Sequence, residues 1–530
     1  MIQVQEEPLA TRTAGSTIAG THPARRRTAL WLTALYGFGL LHWLAFFYVA
    51  HPASGRERDL LTMVGKPSRL FQRPSFGFDT DAYSSDGYFI TRNKLVALRE
   101  ALRARTLPYH LPGLSAYDML PTHDSPIGDR LFAVPYGWPW SPQMWLLLVL
   151  DLSDFVVVNW LLLYSIGFAG CVLIQRRYGL GPVAFTFLFL LFNFNGWIIS
   201  NVSTYPIEPG AGYFFSPFLL LVFLPASQEA TLPAARQTAL GLVLALALSA
   251  IWYQGSAHPF IFWLTFLLCW GLVNWRKWRM TLVGFTATVA LCANRIIPAA
   301  LTWRLAHRPE LSMPGMSGFW SFDDYVQSLA VARPYTQAWP AFNFYISIFG
   351  VLAILWLAGW GPFQRASWIR FRGQAALMIP AGMVALLSFR RVKFFLIPSW
   401  VPLLNAEVYT SRYVIVPLLI SIAVASVNFQ GAVEASWGKA KMRGLAVTTL
   451  GLIAITLMNH SRLWRIGFAS AIEKWPGYPY PTLPPRLAIN WTDTVYIASV
   501  RWSLAASCVA LLVIVVLLVR LRSNWVAARG

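Results

Sequence analysis

The chain has 530 residues, 56% of them hydrophobic and 15% aromatic against 12% charged, with a mean hydropathy of +0.50. A soluble protein carries about 25% charged residues and a disordered one few aromatics, so both classes are excluded and a polytopic membrane protein is left. Forty-three Lys and Arg against 22 Asp and Glu give a net charge of +21, but these cations cluster at the ends of apolar runs without any recognition motif, so nucleic acid is not expected as a partner.

Residues 1–28 read as a polar cytoplasmic tail, and 29–530 as one transmembrane domain with its loops. The first apolar run, Ala29–Ala50, follows Arg25, Arg26 and Arg27; at about 1.5 Å per residue it can cross a hydrocarbon core of about 30 Å. It exceeds a signal-peptide core in length and no small-residue cleavage site follows, so it reads as an anchor.

Residues 51–142 form a long first outer loop. Asp79, Asp81 and Asp86 lie close together in it, ahead of a stretch, Thr91–Arg105, with Leu95, Leu98 and Leu102 on one helical face and Arg92, Lys94, Arg99, Arg103 and Arg105 elsewhere. Such a basic amphipathic helix either lies on the membrane surface or packs on the bundle with a solvated basic face. His123, Asp124 and Asp129 follow, then Trp138-Pro-Trp-Ser-Pro142. A carboxylate held at a membrane interface can act as general base on a hydroxyl or as a metal ligand; the plainer alternative is a solvated loop acid.

Further apolar runs are Phe155–Leu173, Val183–Ser200, Tyr213–Leu224, Leu240–Trp252, Pro259–Leu272 and Leu282–Ile297, then Phe342–Trp360, Ala375–Leu387, Tyr413–Val427, Ala446–Met458 and Trp502–Val519. With the first run these predict about twelve transmembrane helices. Alternation from a cytoplasmic start puts Arg176, Arg177, Arg236, Arg276, Arg365, Arg370, Lys441, Arg443 and Arg520 inside, as the positive-inside rule requires, with both termini cytoplasmic. The other outer loops are 299–341, 389–412 and 459–501, and Phe394–Leu404 reads alternatively as a re-entrant or interfacial segment.

Glu208, His258 and Arg295 fall at outer ends of predicted helices, and Arg390, Arg391, Lys393 and Arg412 place cations outside where topology does not ask for them. Arginine pairs with phosphate oxygens through its planar fork; the alternative is snorkelling to headgroups or satisfying helix ends. Asp323 and Asp324 are weaker candidates in the second outer loop. Asn193 and Asn195 are the main mid-span polar pair, explained by hydrogen bonding between helices. The four cysteines, Cys171, Cys269, Cys292 and Cys508, are scattered through apolar stretches, which suggests neither disulfides nor a zinc site. Walker, dinucleotide, His-Glu-x-x-His and Gly-x-Ser-x-Gly signatures are absent, and mid-span ionisable residues of the kind a coupled transporter uses are scarce.

One helix leading to a long acidic outer loop, then a many-helix bundle with further outer loops, resembles the GT-C superfamily of membrane glycosyltransferases. The local point of resemblance is Asp79-Thr-Asp81, an Asp-x-Asp pair where the superfamily places its first-loop carboxylates; the basic helix and Trp138–Pro142 add to it. The resemblance is to bacterial members and implies an inner-membrane enzyme that moves a sugar from a polyprenyl-phosphate donor to an acceptor hydroxyl, with inversion. On it, Asp81, then Asp79, then Asp86 would be the base, while Glu208, His258, Arg295, Arg390, Arg391 and Arg412 would bind the donor. Some members use a divalent metal, and no ligand set here singles one out. The longer motifs of the oligosaccharyltransferase and the protein mannosyltransferases are absent, so donor sugar and acceptor are left open. The competing classes are a non-catalytic assembly subunit on the same bundle and a lipid or polysaccharide transporter.

Overall fold

The structure, a computed structural model, describes residues 22–49, 95–110, 130–133, 140–150, 152–204, 210–305, 318–332, 342–359, 369–371, 373–392, 410–436, 440–474 and 489–527. Among these, β contacts are isolated bridges, such as His110 with Arg130 and Phe319 with Phe389, and the regular elements are helical. In chain order the helices are α1 His22–Leu44, α2 (95–103), α3 Leu152–Tyr178, α4 Pro182–Asn193, α5 Gly196–Thr204, α6 Ser216–Gln228, α7 Ala234–Tyr253 and α8 Ala257–Val273. They continue as α9 Trp278–Leu291, α10 Ala293–Leu305, α11 Phe322–Ala330, α12 Ser347–Ile354, α13 Gln374–Leu386, α14 Ile415–Ser436, α15 Ala440–Lys474 and α16 Thr494–Ala527.

Among the described residues, eight helical stretches are long and apolar enough to cross a membrane: Arg27–Phe47, Asp154–Tyr178, Pro182–Val202, Ala211–Gln228, Ala234–Tyr253, Thr410–Ser436, Ala440–Trp464 and Thr494–Leu521. The chain is therefore built as a helical, multi-pass membrane protein. The other four predicted runs are also helical, but not as independent full-length spans. Two of them form Ala257–Val273 and Trp275–Leu291, bent by 114° at their junction, and two are the shorter Ser347–Gly359 and Gln374–Leu386. Among the described residues, length and composition thus support eight spans, or nine if the bent pair is one.

The run Val183–Ser200 is a broken helix. Asn195 Nδ2 donates to the Leu191 and Phe192 carbonyls and to the Tyr213 hydroxyl, and its Oδ1 accepts from the Ile198 amide at 3.3 Å. One side chain so satisfies both ends of the break between α4 and α5. Asn193 bonds back to Phe189 of its own turn; of the predicted pair, only Asn195 reaches beyond its own helix, to Tyr213.

Helices α7 and α9 meet closely at Gly241 and Gly284, where a methyl on Gly241 would stand 2.8 Å from the Met280 carbonyl. Small residues permit that approach, which apolar lipid alone would not drive. Helix α2 buries Leu95, Ala97 and Leu98 in the main core, so of its two predicted settings it takes the packed one. Of the cysteines, Cys171 and Cys292 are buried and all four are free thiols.

Amides and ion pairs lock one end of the bundle, the predicted cytoplasmic one. Asn428 Oδ1 accepts from the Arg370 and Phe371 amides, and its Nδ2 donates to the Leu357 carbonyl at 2.8 Å. Gln430 accepts from the Gly181 amide and donates to Glu434, which also receives Arg370. Lys277 donates to the Ala226 carbonyl in the last turn of α6, a cation where the helix dipole favours one.

Candidate functional site

The opposite end gathers the described parts of all four long loops. Trp140 donates its amide to the Tyr253 carbonyl at 2.7 Å, and Gln143 bonds Gln254, which fixes the first loop to the end of α7. Phe319 and Arg390 exchange backbone hydrogen bonds with Ser388 and Phe319, which ties the second loop to the third. Gly318 allows this. At φ +149° a methyl there would meet the Thr410 hydroxyl, the Ser388 carbonyl and the Arg390 amide, so only glycine fits the turn that brings the Arg390 and Arg412 segments together.

Arg412, 6% exposed, lies in the turn Thr410–Val414 that opens α14. Its Nη1 donates to His258 Nε2 at 3.1 Å. An arginine can only donate, so this bond uses the ring nitrogen as acceptor. Arg295, 3% exposed in the first turn of α10, stands 5.9 Å from the Trp252 ring centroid, a cation–π distance. Trp252 in turn packs on Phe260 at 4.6 Å, two residues beyond His258. The two predicted phosphate-binding arginines therefore occupy the same end, joined through Trp252, Phe260 and His258. Arg390 lies over Trp320 at 4.3 Å, and Arg391 is exposed beside it.

The other predicted site residues divide in two. Asp324 closes a capping box with Ser321, and Asp323 accepts from Gln327; both are accounted for by starting α11. Asp79, Asp81, Asp86, His123, Asp124, Asp129, Glu208 and Lys393 lie outside the described residues. Among the described residues no group of three or more His, Cys, Asp or Glu stands ready to hold a metal ion.

A third cluster was not read from the sequence. Asp493, just ahead of α16, accepts from Arg130 Nε at 2.7 Å and Nη2 at 2.8 Å and from His110 Nε2 at 3.2 Å. Arg130 also reaches Thr302, seven residues and two turns beyond Arg295 on α10, and lies over the Tyr496 ring at 5.0 Å. Tyr496 sits in the field of both Arg130 and Arg295. Burial opposes the charge on Asp493, but the hydrogen bonds from Arg130 and His110 and their nearby charge outweigh it and hold its pKa below the ordinary carboxylate value. The cluster fastens the first loop, at His110 and Arg130, to the start of the last helix. Asn490-Trp-Thr-Asp493 before an apolar run is a helix-start signature, the one local signal that pointed there.

Chemically this end offers two buried guanidinium groups, an imidazole bonded to one of them, and aromatic walls, all beside the loops. Such a setting suits an anion at a membrane surface, since guanidinium groups bind phosphate oxygens in pairs and gain strength away from bulk water. Compared with protein-family models, curated proteins and solved structures, the chain has no match in any of the three.

Proposed function

We propose that the chain is a GT-C-like glycosyltransferase of a bacterial inner membrane, with twelve membrane segments and both termini cytoplasmic. It moves a sugar from a polyprenyl-phosphate donor to an acceptor hydroxyl at the outer face. The observation that carries this reading is the burial of Arg412 and Arg295 at the loop-bearing end of a membrane-spanning bundle. Buried cations near a bilayer are expensive and mark functional sites, and a lipid-borne phosphate is the anion that this location supplies most directly.

In the reaction a first-loop carboxylate, Asp81 by preference over Asp79 and Asp86, takes the proton of the acceptor hydroxyl. The hydroxyl oxygen attacks the anomeric carbon from the face opposite the phosphate. The bond from that carbon to the phosphate oxygen breaks, and its electron pair leaves with the lipid phosphate, whose charge Arg412 and Arg295 stabilise. His258 holds Arg412 in place, and Arg390 and Arg391 add positive potential at the entrance.

Binding of a polyprenyl monophosphate to the purified protein tests the reading. Arg412→Gln and Arg295→Gln are each expected to weaken binding about tenfold or more, the value of a charge-assisted hydrogen bond, while the protein still purifies as a folded species. Undiminished binding in both variants would remove the phosphate site from the account.

A further inference from the structure

Helix α2 ends on a residue that its geometry does not favour. Arg105 adopts φ +50°, and the bonds that close the helix, from the Arg105 amide to the Leu102 carbonyl and from the Thr106 amide to the Ala101 carbonyl at 3.1 Å, are those of a turn usually made by glycine. An exposed arginine is kept there at a conformational cost.

A second anomaly lies on α16. Along this helix Val495, Trp502, Val509 and Val513 are 73%, 78%, 59% and 50% exposed, the lipid-facing stripe of the span Thr494–Leu521. Arg501 is inside that span, exposed, and next to Trp502. Its Nε donates to the Tyr109 hydroxyl at 3.0 Å, and its guanidinium lies 5.8 Å from that ring. Among the described residues no protein acceptor meets its Nη groups. A guanidinium on a lipid-facing helix is tolerated where it reaches the interface and meets an anion there.

Tyr109 joins the two anomalies. It follows Arg105 by four residues, within about 14 Å by chain length alone, and its ring meets Trp491, 58% exposed, at 6.3 Å. We infer that Arg501 and Arg105, with Trp491 and Trp502 beside them, form a binding site for the headgroup phosphate of an anionic phospholipid in the outer leaflet. The lipid-facing position of Arg501 selects a lipid over a soluble anion. An arginine four residues from Tyr109, added to the one bonded to its hydroxyl, favours an anionic headgroup over a zwitterionic one, whose own ammonium the cations would repel. Trp491 and Trp502 supply the amphipathic rings that settle at headgroup depth. This site is separate from Arg412 and Arg295 and stands whether or not they bind a sugar donor.

Thermal unfolding of the purified full-length protein in detergent, titrated with phosphatidylglycerol, phosphatidylcholine or a polyprenyl monophosphate, tests the inference. Phosphatidylglycerol is expected to raise Tm more than phosphatidylcholine, and Arg501→Gln and Arg105→Gly each to lower its apparent affinity about fivefold. Arg105→Gly is the discriminating variant, because glycine relieves the backbone at this turn: its Tm without lipid should match or exceed that of the parent while the lipid response falls. Equal responses to the two phospholipids, or an undiminished phosphatidylglycerol response in Arg105→Gly, would overturn the inference. So would a response to polyprenyl phosphate alone, or variants that change oligomeric mass in place of lipid affinity.

Discussion

Gly318 holds the second and third outer loops together, and its φ of +149° leaves no room for a side chain. Gly318→Ala is expected to cost about 1–3 kcal/mol of stability, read as a lowered Tm in detergent, because both backbone strain and the clash with Thr410 and Ser388 follow. Asp493 makes the complementary case. Its pKa is held down by Arg130 and His110 against the effect of burial, so its contribution to stability is full above the unfolded carboxylate value and is lost as pH falls through the depressed folded one. Asp493→Asn should therefore lower Tm at neutral pH, and the gap to the parent should close on acidification below about pH 4. A pH-independent gap would mean that the charge is not what matters. The sequence alone made His258, Arg295 and Arg412 legible, since each is an ionisable residue at the end of an apolar run. It did not reveal Asp493 and Arg130 as a pair, because 363 residues separate them and the helix-start signature around Asp493 says nothing of its partner.

At the scale of the element, hydropathy located all twelve apolar runs, and each contains helix among the described residues. What it missed is how helices break and lean. The bend of 114° between α8 and α9 arises at Asn274-Trp-Arg-Lys277, where polar residues interrupt the apolar pattern; the interruption marks a junction between helices, but nothing in it gives the angle. The α4–α5 break is likewise invisible to a hydropathy window, because a single Asn among aromatics scarcely lowers the average. Asn195→Leu should expose its role. With the Ile198 amide left unpaired and Tyr213 deprived of a donor, a loss of about 1–3 kcal/mol is expected by thermal unfolding, whereas Asn193→Leu, which frees only the Phe189 carbonyl's extra bond, should cost less. The α7–α9 contact is just as specific. Gly241→Val inserts a branched side chain against the Met280 carbonyl and Val283, so the variant should lose stability through overpacking, while substitution at Gly444, where a methyl meets nothing within 4 Å, should be neutral.

At the scale of the whole molecule the account rests on orientation and on what the loop-bearing end does. If the positive-inside reading holds, a membrane-impermeant thiol reagent applied to intact cells should label a cysteine at Asp323, exposed on α11, and not one at Ser436 at the far end of α14; reversed labelling would invert the topology. The bundle supplies buried cations and a first loop anchored at its end, and the carboxylates expected to act belong to that same loop. The direct measurement is transfer of radiolabelled sugar from the polyprenyl-phosphate-linked pool in membranes that contain the parent protein or Asp79→Asn, Asp81→Asn or Asp86→Asn, with insertion of each variant verified. Asn preserves size and most hydrogen bonding while removing basicity, and loss of a general base lowers rate by about 10²- to 10⁴-fold. The account predicts parent-dependent transfer that Asp81→Asn or Asp79→Asn abolishes; near-normal transfer in all three variants, or none that depends on the parent protein, would contradict it and leave the non-catalytic assembly subunit as the better description.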